Sequence, residues 1–212
     1  MSKIKGIVFI LVLALVLTVG GILAYFSDSE EKTNVFTVGT NVDIVLNENA
    51  TWVQGTGVNQ GKYVSTEATS MYPGSYVAKS PTVTCVAGKR ACYVFVKVTS
   101  PMVNGVEVLT YTKGTGWIQV GSDDTTTVAG SVVRVYAYAS VVSSSNTLTS
   151  LAPGYTTTAV FGNVTINSYF GTTQSRGELI AGNSYEMEVE AYAIQTTGIT
   201  ATDLAGTWAN FQ

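Results

Sequence analysis

Histidine is absent from all 212 residues of the chain. The absence removes the commonest general base of enzymes and the commonest zinc ligand of proteins. A His-Glu-x-x-His metallopeptidase motif and a Ser-His-Asp or Cys-His pair therefore cannot be formed. The remaining carboxylates and lysines show no catalytic or metal-binding spacing. We predict no catalytic residue, no metal ligand and no cofactor, and we expect a protein that is not an enzyme.

Charged residues are also scarce, at 12% of the chain, where about a quarter is usual. Eleven are basic and 14 are acidic, so the net charge is −3. A nucleic-acid partner requires a basic face, and this balance argues against one. The polar surface must be built mainly from threonine, serine, asparagine, glutamine and glycine, a composition typical of strands.

The N-terminus has the pattern of a secretory signal peptide. Lys3 and Lys5 precede an apolar run from Ile7 to Val19, which leads into the sequence GGILAYFSDSE. The run is short for a membrane span, but it suits a signal peptide. The small residue Ala24 is suited to the position before the cut, with Tyr25 as the first residue of the mature protein.

Two alternatives to this cut remain open. Residues 7–24 nearly reach the length of a membrane anchor, and a pilin-type cut after Gly6 would keep the apolar helix. If residues 1–24 are removed, 188 residues remain, and loss of the two lysines changes the net charge to −5. We expect a secreted protein that meets the membrane and the signal peptidase only during export.

Beyond the signal peptide, apolar residues alternate with polar ones, and helical periodicity is rare. Clusters of glycine, asparagine, aspartate and serine separate about ten such strands. This spacing predicts an all-β fold, a jelly-roll-like antiparallel β-sandwich, preceded by the signal-peptide helix. One or two short helices are expected, at Thr173–Ala181 and at Thr202–Ala209, where Thr200 and Asp203 have capping-box-like spacing.

The two cysteines flank the turn VAGKRA, which is expected to join the strands PTVTC and CYVFVKV as a paired hairpin. An exported chain with an even cysteine count favours a disulfide between Cys85 and Cys92, the alternative being two buried thiols. Alternation places Cys92, Val94, Val96 and Val98 on one face of the second strand. Tyr93 and Phe95 point the other way, so both faces of this strand should be covered.

Other polar motifs have simpler explanations than binding sites. Asp123 and Asp124 lie in GSDDTTT without the carboxylate spacing of a calcium loop, so an acidic turn is expected. Asn49 and Asn163 begin glycosylation sequons. Asn163 lies within a strand pattern, so Asn49 is the better acceptor.

Three stretches together resemble the TasA/camelysin family. They are GGILAYFSDSEEKTNVFTVGTNVDIVL, YPGSYVAKSPTVTCVAGKRACYVFVKV and AYAIQTTGITATDLAGTWANF. The first is similar to the family's SipW-type signal peptide and mature N-terminus, the second to its central hairpin, and the third to its last strand and helix. Cys85 and Cys92 depart from the bacterial pattern.

The resemblance implies a jelly-roll subunit of extracellular filaments, such as biofilm matrix fibres or archaeal bundling pili. In such filaments each subunit donates its N-terminal strand to the next, so identical subunits are the expected partners. Three regions are predicted: a signal peptide at 1–24, a donor segment at 25–38 and a jelly-roll domain at 39–212. The apolar anchors of the donor segment are Tyr25, Phe26, Val35, Phe36 and Val38.

Alternative interpretations remain open. From the residues alone, Phe36 and Val38 could equally begin the protein's own first strand; the resemblance favours donation. Camelysin has been classed as a metallopeptidase, so a secreted peptidase is a second hypothesis, although no metal constellation is found. A membrane-anchored surface protein that retains its N-terminal helix is the third.

Overall fold

The structure is a computed structural model that describes residues 42–48, 71–171 and 185–212, together with the backbone of strands at 51–53 and 62–64. Within these residues the chain is almost entirely β. Thirteen strands are found there: β1 (Ile44–Asn47), β2 (Thr51–Val53), β3 (Lys62–Val64), β4 (Tyr76–Ala78), β5 (Thr82–Cys85), β6 (Cys92–Val103), β7 (Val106–Glu107), β8 (Leu109–Lys113), β9 (Trp117–Asp124), β10 (Ser131–Val142), β11 (Ser145–Leu148), β12 (Phe161–Ile166) and β13 (Glu188–Gln195).

Helical structure is limited to short elements. Helix α1 (Leu204–Trp208) continues into a 3₁₀ turn at Ala209–Phe211, and a second 3₁₀ turn lies at Ser168–Gly171. In the described part of the chain, no helix has the length and apolar character needed to cross a membrane.

One sheet, here named the front sheet, has the order β9-β10-β6-β13, and all of its pairs are antiparallel. The long strand β6 lies at its centre, with Val96 opposite Tyr136 of β10 and opposite Ala191 of β13. The short strands β7 and β11 attach to the ends of β6 and β10.

The second sheet, named the back sheet, is built on the order β4-β12-β8. Hydrogen bonds from Cys85 N to Tyr155 O (3.0 Å) and from Val160 N to Pro81 O (2.8 Å) join β5 to the stretch before β12. β1 pairs with β5 on its other side. The back sheet therefore reads β8-β12-β4/β5-β1, and the chain passes between the two sheets repeatedly.

The main core lies between the sheets and is rich in valine, which packs well on a pleated surface. Its fully buried members include Val83, Val94, Val96, Val98, Val108, Val160 and Phe161. A second cluster lies on the outer face of the front sheet, where Phe95 packs against Trp208 and Phe211 with ring centroids 5.8 and 5.7 Å apart. The C-terminal segment thus covers the second apolar face of β6.

The structure confirms the predicted all-β sandwich and the predicted helix near Thr202–Ala209. Pro81 lies between β4 and β5, one residue before the pairing of β1 with β5 begins. The helix cap differs from the expectation. Asp203 itself is the N-cap residue, accepting from Gly206 N at 2.8 Å, whereas Thr200 contributes only its backbone carbonyl. The helix predicted at Thr173–Ala181 falls outside the described residues.

Candidate functional site: the open side of the sandwich

β13 ends the front sheet, and no strand of the described part pairs with its outer edge. In antiparallel ladders, alternate residues turn their N–H and C=O groups to opposite sides. Thr196 N donates to Ala91 O, so Thr196 and Ala91 form a hydrogen-bonded pair. Every second pair along the β13–β6 ladder is then hydrogen-bonded in the same way. The residues whose backbone groups point to the outer edge are therefore Val189, Ala191, Ala193 and Gln195.

The side chains of β13 are apolar on both faces. Val189, Ala191 and Ala193 pack against the core between the sheets, and Tyr192 and Ile194 pack against the outer cluster beside Trp208. All five are only half-buried, in contrast to the neighbouring residues of β6. An additional strand on this edge would extend both clusters at once.

β1 ends the back sheet on the same side, close to β13. Its inward residues Ile44 and Leu46 are likewise half-buried against the main core. We call the outer edges of β1 and β13, with the half-buried apolar side chains between them, the open side: Val42, Ile44, Leu46, Met187, Val189, Ala191 and Ala193.

The opposite side of the sandwich is more closed. β8 of the back sheet connects directly to β9 of the front sheet through residues 114–116, and Gly114 N donates to Val160 O at 2.7 Å. A Cβ on Gly114 would lie 2.2 Å from the carbonyl oxygen of Ala159, so only glycine fits this close approach. A register shift between Val133 and Val135 interrupts the β9–β10 ladder, and bulges of this kind discourage strand addition.

Cys85 and Cys92 lie at one end of the open side and are fully buried. Cys85 pairs with Ile44 in the back sheet, and Cys92 pairs with Gln195 in the front sheet. The turn between them is therefore a connection between sheets, which corrects the expectation of a paired hairpin. The thiols are free and in contact, and burial, reinforced by the neighbouring Cys85, raises the pKa of Cys92 to about 12.

Five carboxylates of the described part have structural partners. Arg134 donates to both oxygens of Glu107 (2.7 and 2.9 Å) and to Asp123 (2.7 Å), which keeps the pKa of Asp123 below its usual range. Asp124 accepts from the backbone N–H groups of Thr126 and Thr127, as in the predicted acidic turn. Ion pairs join Glu48 to Lys79 and Glu190 to Lys97.

Of the predicted glycosylation, cleavage and donor residues, only Asn163 lies in the part of the chain that the structure describes. Asn163 is exposed on β12, in register with Ala78, as its strand pattern predicted. The predicted acceptor Asn49 and the cleavage pair, Ala24 and Tyr25, lie outside the described residues. The other donor anchors also lie outside them: Phe26, Val35, Phe36 and Val38. Sequence reasoning recognised β13 as a strand but did not identify it as an edge.

Residues 2–74 match the model of the family described as Camelysin metallo-endopeptidase, which confirms the resemblance over those residues. The match supports an exported or cell-surface protein. No curated protein matches the chain, and no solved structure does.

The description of the family as a metallo-endopeptidase implies a catalytic metal. The chain contains no histidine, and the described residues contain no group of three or more cysteine, aspartate or glutamate side chains able to hold a metal ion. The two cysteines face each other in the core, and the carboxylates named above are held by other groups. The described residues do not fit a catalytic metal centre.

Proposed function

We propose that the protein is a secreted structural subunit that polymerises into extracellular filaments by donating residues 25–38 to a neighbouring copy. The observation that supports the proposal is the resemblance of residues 2–74 to this family, a range that covers the predicted signal peptide, the predicted donor segment and β1. The open side also supports the proposal. In the described part of the chain, no strand pairs with the outer edge of β13, and an edge strand with apolar faces is a template for strand addition.

Donation of a strand between copies has a simple consequence for assembly. The donor segment and the accepting edge are different surfaces, so the contact is heterologous and leaves a free donor and a free acceptor at the two ends. A heterologous contact that does not close grows into a filament. Each backbone hydrogen bond formed in the process contributes about 0.5–1.5 kcal/mol net.

Deletion of residues 25–38 tests the proposal. We expect the secreted variant to fold as a monomer with wild-type thermal stability, and the sedimentable filament fraction to fall at least tenfold. The variant Phe36→Asp/Val38→Asp should have the same effect, whereas the matched control Glu30→Gln/Glu31→Gln should polymerise normally. Electron microscopy of the secreted protein provides the measurement. Normal filaments from the deletion variant would contradict the proposal.

The N-terminal mass of the secreted subunit separates this function from a membrane-anchored protein. A chain beginning at Tyr25 agrees with a freed donor segment. A chain beginning at Met1 or Ile7 would retain the apolar helix and would favour a surface-anchored or pilin-like protein instead.

A second candidate is a secreted metallo-endopeptidase, and the observation that favours it is the description of the matching family. The matched range contains Asp28, Glu30 and Glu31, which lie outside the described residues. The donor set of the described residues gives this candidate no support.

A further inference from the structure

We propose that the outer face of the back sheet binds a neutral polysaccharide. The ring of Tyr76 stacks on a sugar ring there, and threonine and asparagine side chains hydrogen-bond to the sugar hydroxyl groups. This binding does not depend on polymerisation, because it concerns a face of the sandwich and not its edges. Three features of the face support it: its hydroxyl and amide side chains, its lack of charge and its exposed aromatic ring.

Alternation along the strands shows which residues of the back sheet point outward. β5 turns Val83 and Cys85 into the core, where both are fully buried. The other two residues of β5, Thr82 and Thr84, therefore point away from the core. Their register partners on the two neighbouring strands lie on the same side of the sheet: Val45, Asn47 and Thr156.

The other half of the back sheet follows the same alternation. Val77 of β4 lies opposite Val164 of β12, and both are buried in the core. Tyr111 of β8 also lies opposite Val164 and packs against the core. The residues beside these three point outward: Tyr76, Ala78, Thr110, Thr112, Asn163 and Thr165. We call the outward residues of both halves the threonine face.

The threonine face carries no charged side chain. More than half of its residues are threonine, and two are asparagine. Charged residues at its border are paired, Lys79 with Glu48 and Lys89 with Asp43. Hydroxyl and amide groups both donate and accept hydrogen bonds, so the face matches a ligand that carries neutral groups of the same kind. An anionic polymer would meet no basic group on this face.

Several of these polar side chains hold one another in position. Asn47 Nδ2 donates to Thr84 Oγ1 at 2.8 Å, and the hydroxyl oxygens of Thr84 and Thr156 are 2.7 Å apart. Thr110 Oγ1 donates to Thr165 O at 3.3 Å. The first two contacts join side chains of three adjacent strands. Side chains that are ordered before a ligand arrives lose less entropy when it binds.

Tyr76 supplies an aromatic ring at the end of the threonine face. Its side chain is 67% exposed, and it lies in register with Thr165, which in turn lies in register with Thr110. A sugar ring has an apolar face of C–H groups and a rim of hydroxyl groups. It can therefore stack on the tyrosine ring while its hydroxyl groups reach the threonines of the next two strands.

A second copy of the chain is the main competing occupant of the threonine face. Protein–protein interfaces obtain most of their binding energy from a few buried residues, chiefly tryptophan, tyrosine and arginine, and threonine is under-represented among them. The threonine face has one aromatic ring and no arginine. It offers few anchors to a protein partner, and its composition favours a polysaccharide.

Isothermal titration calorimetry of the secreted protein tests the binding. The probes are hexasaccharides of β-1,4-linked glucose and of β-1,4-linked N-acetylglucosamine, which are neutral and extended. All samples carry Asn163→Gln, which keeps an amide on the face and removes the glycosylation sequon, so that no attached glycan occupies the site. We expect this parent protein to bind at least one probe with a dissociation constant of about 1 mM or lower.

Two equally exposed tyrosines provide a matched pair of variants. We expect Tyr76→Ala to weaken binding at least tenfold and Tyr76→Phe, which keeps the ring, to change it less than threefold. Tyr155 is 68% exposed, but it precedes Thr156 and alternation turns it away from the threonine face. Tyr155→Ala should therefore bind as the parent does, and circular dichroism should show a folded protein for each variant.

A second variant keeps the inference testable if Tyr76→Ala unfolds. Thr84→Val/Thr156→Val removes two hydroxyl groups and keeps the β-branched shape that suits a strand. We expect it to fold and to weaken binding at least threefold.

The parent's failure to bind either probe, or equal losses for Tyr76→Ala and Tyr155→Ala, would overturn the inference. Loss of lateral contacts between filaments in Tyr76→Ala, with no sugar bound by the parent, would identify a second copy as the occupant and would also overturn it. Each of these results leaves the proposed filament function intact.

Discussion

Asp203 caps the short helix that covers the outer hydrophobic cluster. Its carboxylate accepts from Gly206 N at 2.8 Å, and its backbone carbonyl accepts from Thr207 Oγ1 at 2.6 Å. A Cβ on Gly206 would lie 2.1 Å from an Asp203 oxygen, so glycine makes room for the cap. This cap begins the short helix that places Trp208 against Phe95.

Asp203→Ala is expected to lower the free energy of unfolding by about 1 kcal/mol, the usual effect of losing an N-cap. Asp203→Asn keeps an oxygen acceptor and serves as the control, with a change of a few tenths of a kcal/mol. Urea unfolding followed by tryptophan fluorescence measures both. Equal losses for the two variants would show that charge, and not capping, is what the site requires.

At the scale of elements, the connection from β5 to β6 links the two sheets next to the open side. Cys85 and Cys92 face each other there, and their thiols are buried and in contact. We predict that the secreted protein carries a disulfide at this position. In the chain-entropy description, closing a loop of this length stabilises the fold by about 2–3 kcal/mol.

The measurement is alkylation of the secreted protein under denaturing conditions, with and without prior reduction. We expect modification of the two cysteines only after reduction, and unfolding at lower denaturant concentration for the reduced form. Modification without reduction would show two free thiols. In the reduced form the raised pKa of Cys92 stabilises the fold below about pH 9, and that contribution is lost as the pH rises towards 12. The oxidised form has no such thiol titration.

Strand β6 shows what an alternating pattern of apolar residues can predict. Alternation along β6 placed Val94, Val96 and Val98 on one face and Tyr93 and Phe95 on the other, and the structure confirms both faces. Alternation could not show that β5 and β6 lie in different sheets, because a turn of this length is compatible with a paired hairpin as well as with a crossing between sheets.

For the molecule as a whole, the choice between filament subunit and peptidase depends on chemistry that the described residues do not provide. The chain has no histidine, and the carboxylates of Glu48, Glu190, Asp124 and Asp203 are engaged in ion pairs, a turn and a helix cap. A structural subunit needs only a stable sandwich and complementary surfaces. The open side is the feature of the fold that such a role would use.

We expect the purified secreted chain, supplied with zinc, to cleave an unfolded protein substrate no faster than buffer does, with or without a chelator. Mass spectrometry of the substrate gives the measurement. The Glu30→Gln/Glu31→Gln variant is the matched control for carboxylates of the donor segment. Proteolysis that disappears on chelation and in this variant would establish the peptidase and contradict a purely structural role.

The sequence by itself predicted an export signal, and it determined the all-β class, the two-faced character of β6 and the absence of histidine chemistry. These follow from local composition and from the two-residue period of strands, which each segment carries on its own. Only the tertiary structure decided which strands are edges, because an edge is defined by the absence of a neighbour and not by the strand's own residues. For the same reason, the position of β13 beside β1, and the placement of Cys85 and Cys92 in different sheets, appeared only when the two sheets were assembled.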